Sequence, residues 1–150
     1  MAPFVTAEAA LEELERSGTT IVVDLAGFTE DHLDKEQFSC FTVFLLKLWF
    51  AMVPPGVRAP FIDVEELADR CDNELFEFAE AMATSPNRVE EYLAAASQPG
   101  LLRAVYGMVL EEAKQEPLRH CLDAPAVANS LSLLKAVMEE LDHHLRPSRG

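Results

Sequence analysis

The stretch FSCFTVFLLKLWFAMV, residues 38–53, decides the fold. Phe38, Phe41, Leu45, Leu48 and Met52 recur at intervals of 3, 4, 3 and 4, the repeat of one helical face. Val43, Phe44, Leu46 and Phe50 lie off that stripe. A helix that is apolar on every side is enclosed by other helices or by a partner subunit. With 16 residues the stretch is shorter than a bilayer span, which takes roughly 20. It also carries a charge, Lys47, near its middle and ends at Pro54-Pro55-Gly56. These features predict a buried central helix rather than a membrane span. Just upstream, Thr29 or Asp34 is placed to cap it, and Asp34 and Gln37 have capping-box spacing.

On its C-terminal side the punctuation is regular. Residues 54–60 hold three prolines and a glycine and read as a loop. Asp63 and Glu66 form a second capping box. Behind it, Val64, Leu67, Ala68, Cys71, Leu75, Phe78, Ala79 and Met82 trace one helical face, while Asp69, Asp72, Glu74, Glu77 and Glu80 fall mainly elsewhere. Ser85 followed by Pro86 is an N-cap with proline at the first helical position; Val89, Tyr92, Leu93 and Ala96 supply that helix's apolar side. Pro99 opens another helix, with Leu101, Leu102, Val105, Tyr106, Val109, Leu110 and Ala113 inward, and Pro117 stops it. Asp123 and Pro125 start the last. There Val127, Leu131, Leu134, Met138, Leu141 and Leu145 repeat at 4, 3, 4, 3 and 4. Such a heptad seam packs within a bundle or against a second copy.

On the N-terminal side, Thr6 can cap a helix whose face is Ala7, Ala10, Leu11 and Leu14, and Gly18 stops it. The run 19–25 is rich in β-branched residues and favours a strand. No second strand exists to pair with it, so it reads as an extended connector or a short turn of helix. The expectation is an all-α fold: a compact single-domain bundle of about six helices over residues 1–150, with flexible ends at 1–5 and 146–150.

Composition narrows the function. The 150 residues are 49% apolar and 25% charged, as in ordinary globular domains. Twelve basic residues against 26 acidic ones give a net charge of −14. Neutralising phosphates takes clustered Lys and Arg, so neither nucleic acid nor an anionic membrane is an expected partner. Cys40, Cys71 and Cys121 are odd in number, without a CxxC pair, and the N-terminus lacks a basic-then-apolar signal. A reducing, cytoplasmic setting follows.

Motifs for catalysis are sparse. There is no G-x-S-x-G and no glycine-rich phosphate loop. Cys40 and Cys71 sit on apolar faces, which leaves Cys121 as the candidate exposed thiol. Glu66 with Asp69, and Glu77 with Glu80, stand three apart, and Glu140 with His143 forms a Glu-x-x-His. In helical metal sites that spacing aims ligands at the bundle core. Here Glu140 and His143 fall off the seam, which assigns them to an exposed face. His32, His120, His143 and His144 lack the paired spacing of structural zinc sites. Lys47 either snorkels from the core edge, pairs with a buried acid or serves as an amine of lowered pKa.

The leading expectation is a non-catalytic interaction module, an adaptor or assembly factor, which self-associates or binds a protein partner and takes no cofactor. Its contact residues are Phe44, Lys47, Trp49 and Phe50 on the apolar helix and Leu131, Leu134, Met138 and Leu141 on the seam. The alternative is a metal-dependent hydrolase of phosphate esters using Glu66, Asp69, Glu77, Glu80, Glu140 and His143. It requires at least three of these to converge on one cleft.

Overall fold

The computed structural model describes residues 7–30, 33–54, 56–114 and 124–145. Among them lie seven α-helices: α1 (Ala7–Arg16), α2 (Ile21–Thr29), α3 (Lys35–Met52), α4 (Val64–Thr84), α5 (Pro86–Ala94), α6 (Pro99–Ala113) and α7 (Ala124–Leu145). The expectations for residues 1–5, Thr6, His32, Pro117, His120, Cys121, Asp123 and residues 146–150, and for the side chain of Ala113, fall outside the described residues.

The seventh helix beyond the expected six is α2. Its β-branched residues prefer strands, but Ile21, Leu25 and Thr29 recur every fourth position and are all buried. That shared face packs on α3, and tertiary burial overrides local propensity. Thr19 Oγ1 accepts from the Ile21 N–H, and the Thr20 hydroxyl donates to Asp24, closing its first turn. Between α1 and α2, Gly18 adopts φ +91°, a left-handed conformation that a side chain would disfavour.

Helix α3 starts where the sequence places it. Asp34 accepts from the Gln37 N–H at 2.8 Å, and Gln37 accepts from the Asp34 N–H at 2.9 Å. Phe41, Phe44, Leu45, Leu46, Leu48 and Trp49 are buried, whereas Val43, Lys47 and Ala51, four apart, form a solvent-facing stripe. The enclosed helix is α7. Every residue from 130 to 138 is buried, polar ones included, because α3, α4 and α6 all pack on it. Among the described residues no helix is long and apolar enough to cross a membrane.

The α4–α5 junction is a single residue. Ser85, extended at φ −171° and ψ 162°, ends α4 by donating its N–H to the Ala81 carbonyl. Its hydroxyl then accepts from the Arg88 N–H to start α5, with Pro86 at the first helical position.

Candidate functional site

The face that α4 turns to α7 is narrower than its sequence suggests. The buried residues are Leu67, Cys71, Glu74 and Phe78, spaced 4, 3 and 4. Val64, Ala79 and Met82, expected inside, are exposed. Glu74, expected outside, is buried. The reason is its partner: Lys135 on α7, itself 7% exposed, donates from Nζ to Glu74 Oε2 at 2.5 Å. The Tyr92 hydroxyl of α5 donates to Glu74 Oε1 at 3.2 Å. The Lys135 ammonium also lies 4.7 Å from the Tyr92 ring centroid, a cation–π distance. Burial pushes the Glu74 carboxyl above the usual carboxylate range, and the Lys135 ammonium and Tyr92 hydroxyl offset part of that rise. The Tyr92 phenol is raised by burial and by the Glu74 charge. Burial pushes the Cys71 thiol up to about 12, aided by the nearby carboxylates.

One end of the same interface holds a second polar group. Glu140 is wholly buried, not on an exposed face as its offset from the seam implies. Here α7 does show an outer face, through His143, but Glu140 lies on the side that meets Arg70 of α4. Arg70 Nε donates to Glu140 Oε1 at 2.5 Å. Burial works to lower the Arg70 value, but the hydrogen bond and charge of Glu140 outweigh it and hold the guanidinium above its ordinary value. Glu140 Oε2 faces His144 Nε2 at 3.3 Å. Both atoms are buried and neither has a hydrogen-bond partner among the described residues, so at this distance they meet only as an ion-pair contact. Glu66 completes the cluster. One ligand atom from each of Glu66, Glu140 and His144 lies within 4.8 Å of the others. Asp63 caps α4 by accepting from the Glu65 and Glu66 N–H groups. The return bond from the Glu66 side chain, expected of a capping box, is not made among the described residues.

Of the six residues in the metal alternative, then, Glu66 and Glu140 meet. Their histidine is His144, one turn from Glu140, rather than the exposed His143 three positions along. Asp69, Glu77 and Glu80 do not join them.

Glu77 and Glu80 line a cleft of about 350 Å³ between the end of α4 and α5, with Ala81, Thr84, Arg88, Glu91 and Tyr92. Arg88 Nη1 pairs with Glu91 at 3.3 Å. Glu77 and Glu80 make no ion pair among the described residues. Phe76 stands one helical turn before Glu80 and is 68% exposed.

The sequence-derived contact residues lie mostly in the core. Trp49, Leu131, Leu134, Met138 and Leu141 are wholly buried and Phe44 nearly so, all covered by helices of the same chain. The Trp49 indole N–H has no hydrogen-bond partner among the described residues. Phe50 is half-buried against the core. Lys47 is exposed, with no ion pair among the described residues. Phe76 and Lys135 were missed. An exposed phenylalanine leaves no periodic trace, and the partner of Lys135 is 61 residues away. The chain has no significant match to any protein-family model, to any curated protein or to any solved structure.

Proposed function

We propose that this protein is a non-catalytic helical interaction module, an adaptor or assembly factor, and that its partner presents a basic amphipathic segment to the outer side of α4. The observation that carries the reading is Phe76, 68% exposed beside the acidic cleft of Glu77, Glu80 and Glu91. An exposed aromatic next to a concave, charged rim is the composition of an interface anchor. Glu77 and Glu80 make no ion pair among the described residues, and Arg88 in the same cleft pairs with Glu91, which leaves the first two for a lysine or arginine of the partner. The net charge of −14 steers such a segment toward the chain. A second copy carries the same charge, and the heptad seam is filled from within the chain, so the partner is a different protein. We place it in the cytoplasm, where a free buried thiol such as Cys71 stays reduced.

The test uses a lysine–leucine amphipathic peptide, with a glutamate–leucine counterpart as control, titrated by fluorescence anisotropy. The basic peptide is expected to bind and to weaken with salt. Phe76→Ala, which leaves every charge in place, is expected to weaken it about tenfold, the loss of roughly 1.4 kcal/mol at an anchor. Equal binding of the native chain and the Phe76 variant refutes the site.

A further inference from the structure

We propose that Glu66, Glu140 and His144 form a binding site for one divalent transition-metal ion of the zinc class, clipping the first turn of α4 to the last turn of α7. The proposal stands apart from the docking surface and rests on the cluster itself. Glu140 is a fully buried carboxylate with one oxygen held by Arg70 and the other, Oε2, without a hydrogen-bond partner. A buried acceptor left unpaired is costly, and in a folded chain it calls for a partner. The atom it faces, His144 Nε2, is equally buried and equally unpartnered, 3.3 Å away. Two ligand atoms at this ion-pair distance, with no hydrogen bond between them, are spaced as neighbouring ligands of one ion are. A tetrahedral ion with bonds of roughly 2.0–2.1 Å sets its ligands about 3.3–3.4 Å apart.

The third donor completes the pattern. Glu66 brings a carboxylate oxygen within 4.8 Å of both, on an exposed side chain that a rotamer change can move inward. Two carboxylates face one guanidinium, which leaves the pocket net negative, and the C-terminal carbonyls of α7 add to the attraction for a cation. Arg70 occupies Oε1 and so turns Oε2 toward the other two ligands. An imidazole with two carboxylates suits zinc and its neighbours, whereas calcium and magnesium take all-oxygen shells. Three protein ligands leave a fourth position for water.

The experiment titrates Zn²⁺ into the full chain, first treated with chelator, by calorimetry near neutral pH, with Co²⁺ absorption reporting coordination geometry. One-to-one binding and an intense tetrahedral Co²⁺ band are expected. His144→Ala and Glu66→Gln are each expected to weaken Zn²⁺ by about 100-fold or more, since even outer-shell changes cost 10–100-fold. His143→Ala, on the exposed neighbour, is expected to leave affinity unchanged. Glu66 is exposed and His144 lies in the last turn of α7, so both variants keep the helical core, which circular dichroism verifies. No stoichiometric Zn²⁺ binding overturns the proposal and leaves the Glu140–His144 contact a purely structural one. Binding that survives both substitutions, or that is lost only with His143→Ala, overturns it as well.

Discussion

Replacing Lys135 with methionine keeps the aliphatic stem and removes the charge from the α4–α7 interface. The stem's packing is conserved, so lost apolar contact contributes little. The Tyr92 ring loses a cation at 4.7 Å, worth about 0.5–2 kcal/mol. The larger effect falls on Glu74, 5% exposed and bonded at 2.5 Å to the ammonium that has gone. Breaking one side of a buried pair costs about 3–5 kcal/mol. Glu74 escapes part of that cost by taking up a proton, and this makes the loss depend on pH. Burial already raises the Glu74 carboxyl in the native chain. A raised acid stabilises the fold most below its unfolded value and loses that contribution as pH rises through the folded value. Removing Lys135 raises Glu74 further, so the window extends upward from the usual carboxylate range. Urea unfolding of both proteins across a pH series is the assay. The gap is expected to approach about 3–5 kcal/mol at mildly alkaline pH and to narrow in acid. Adding Glu74→Gln, which still accepts from Tyr92, is expected to recover most of the loss. A gap below about 1 kcal/mol at every pH, the range of an exposed pair, refutes the reasoning, as does a double variant equal to the sum of the singles.

Leu134→Ala is expected to cost about 2–5 kcal/mol in urea unfolding with no change in sedimentation, because its wholly buried side chain contacts only its own chain; a shift in subunit number with intact stability contradicts this. Cys71, with its thiol pushed up to about 12, is expected to resist iodoacetamide in buffer and to react in urea, as read by peptide mass mapping. Its raised value also predicts stability lost as pH climbs from the usual thiol range toward 12, a slope that Cys71→Ser should remove.

Local signals were legible and distant ones were not. The Asp34–Gln37 box and the Ser85-Pro86 start lie within a few residues of their own partners, so spacing alone locates them. Ile21, Leu25 and Thr29 already showed helical spacing, but the β-branched run concealed it. Glu74 and Glu140 were misplaced because a periodic pattern assumes that charge faces water. Both are buried by cations 61 and 70 residues away, Lys135 and Arg70. Over the enclosed residues 130–138 of α7, position around the axis no longer sorts polar from apolar. Of the expected cluster, Glu66 and Glu140 could be named from sequence. The choice of His144 over His143 needed the geometry of a helical turn facing a neighbour.

The one-residue joint at Ser85 sets where this chain tolerates added sequence. One extra residue there changes the direction in which α5 leaves α4, because the two helices share this single extended residue as C-cap and N-cap. Tyr92 would swing away from Glu74 and Lys135, and the acidic cleft would lose its floor. By contrast, Val57 and Arg58 are exposed residues in the connection between α3 and α4, where extra loop length costs little. A fluorophore, tag or inserted reporter belongs at Val57–Arg58, and a library of random insertions should come back dense there and blank at Ser85.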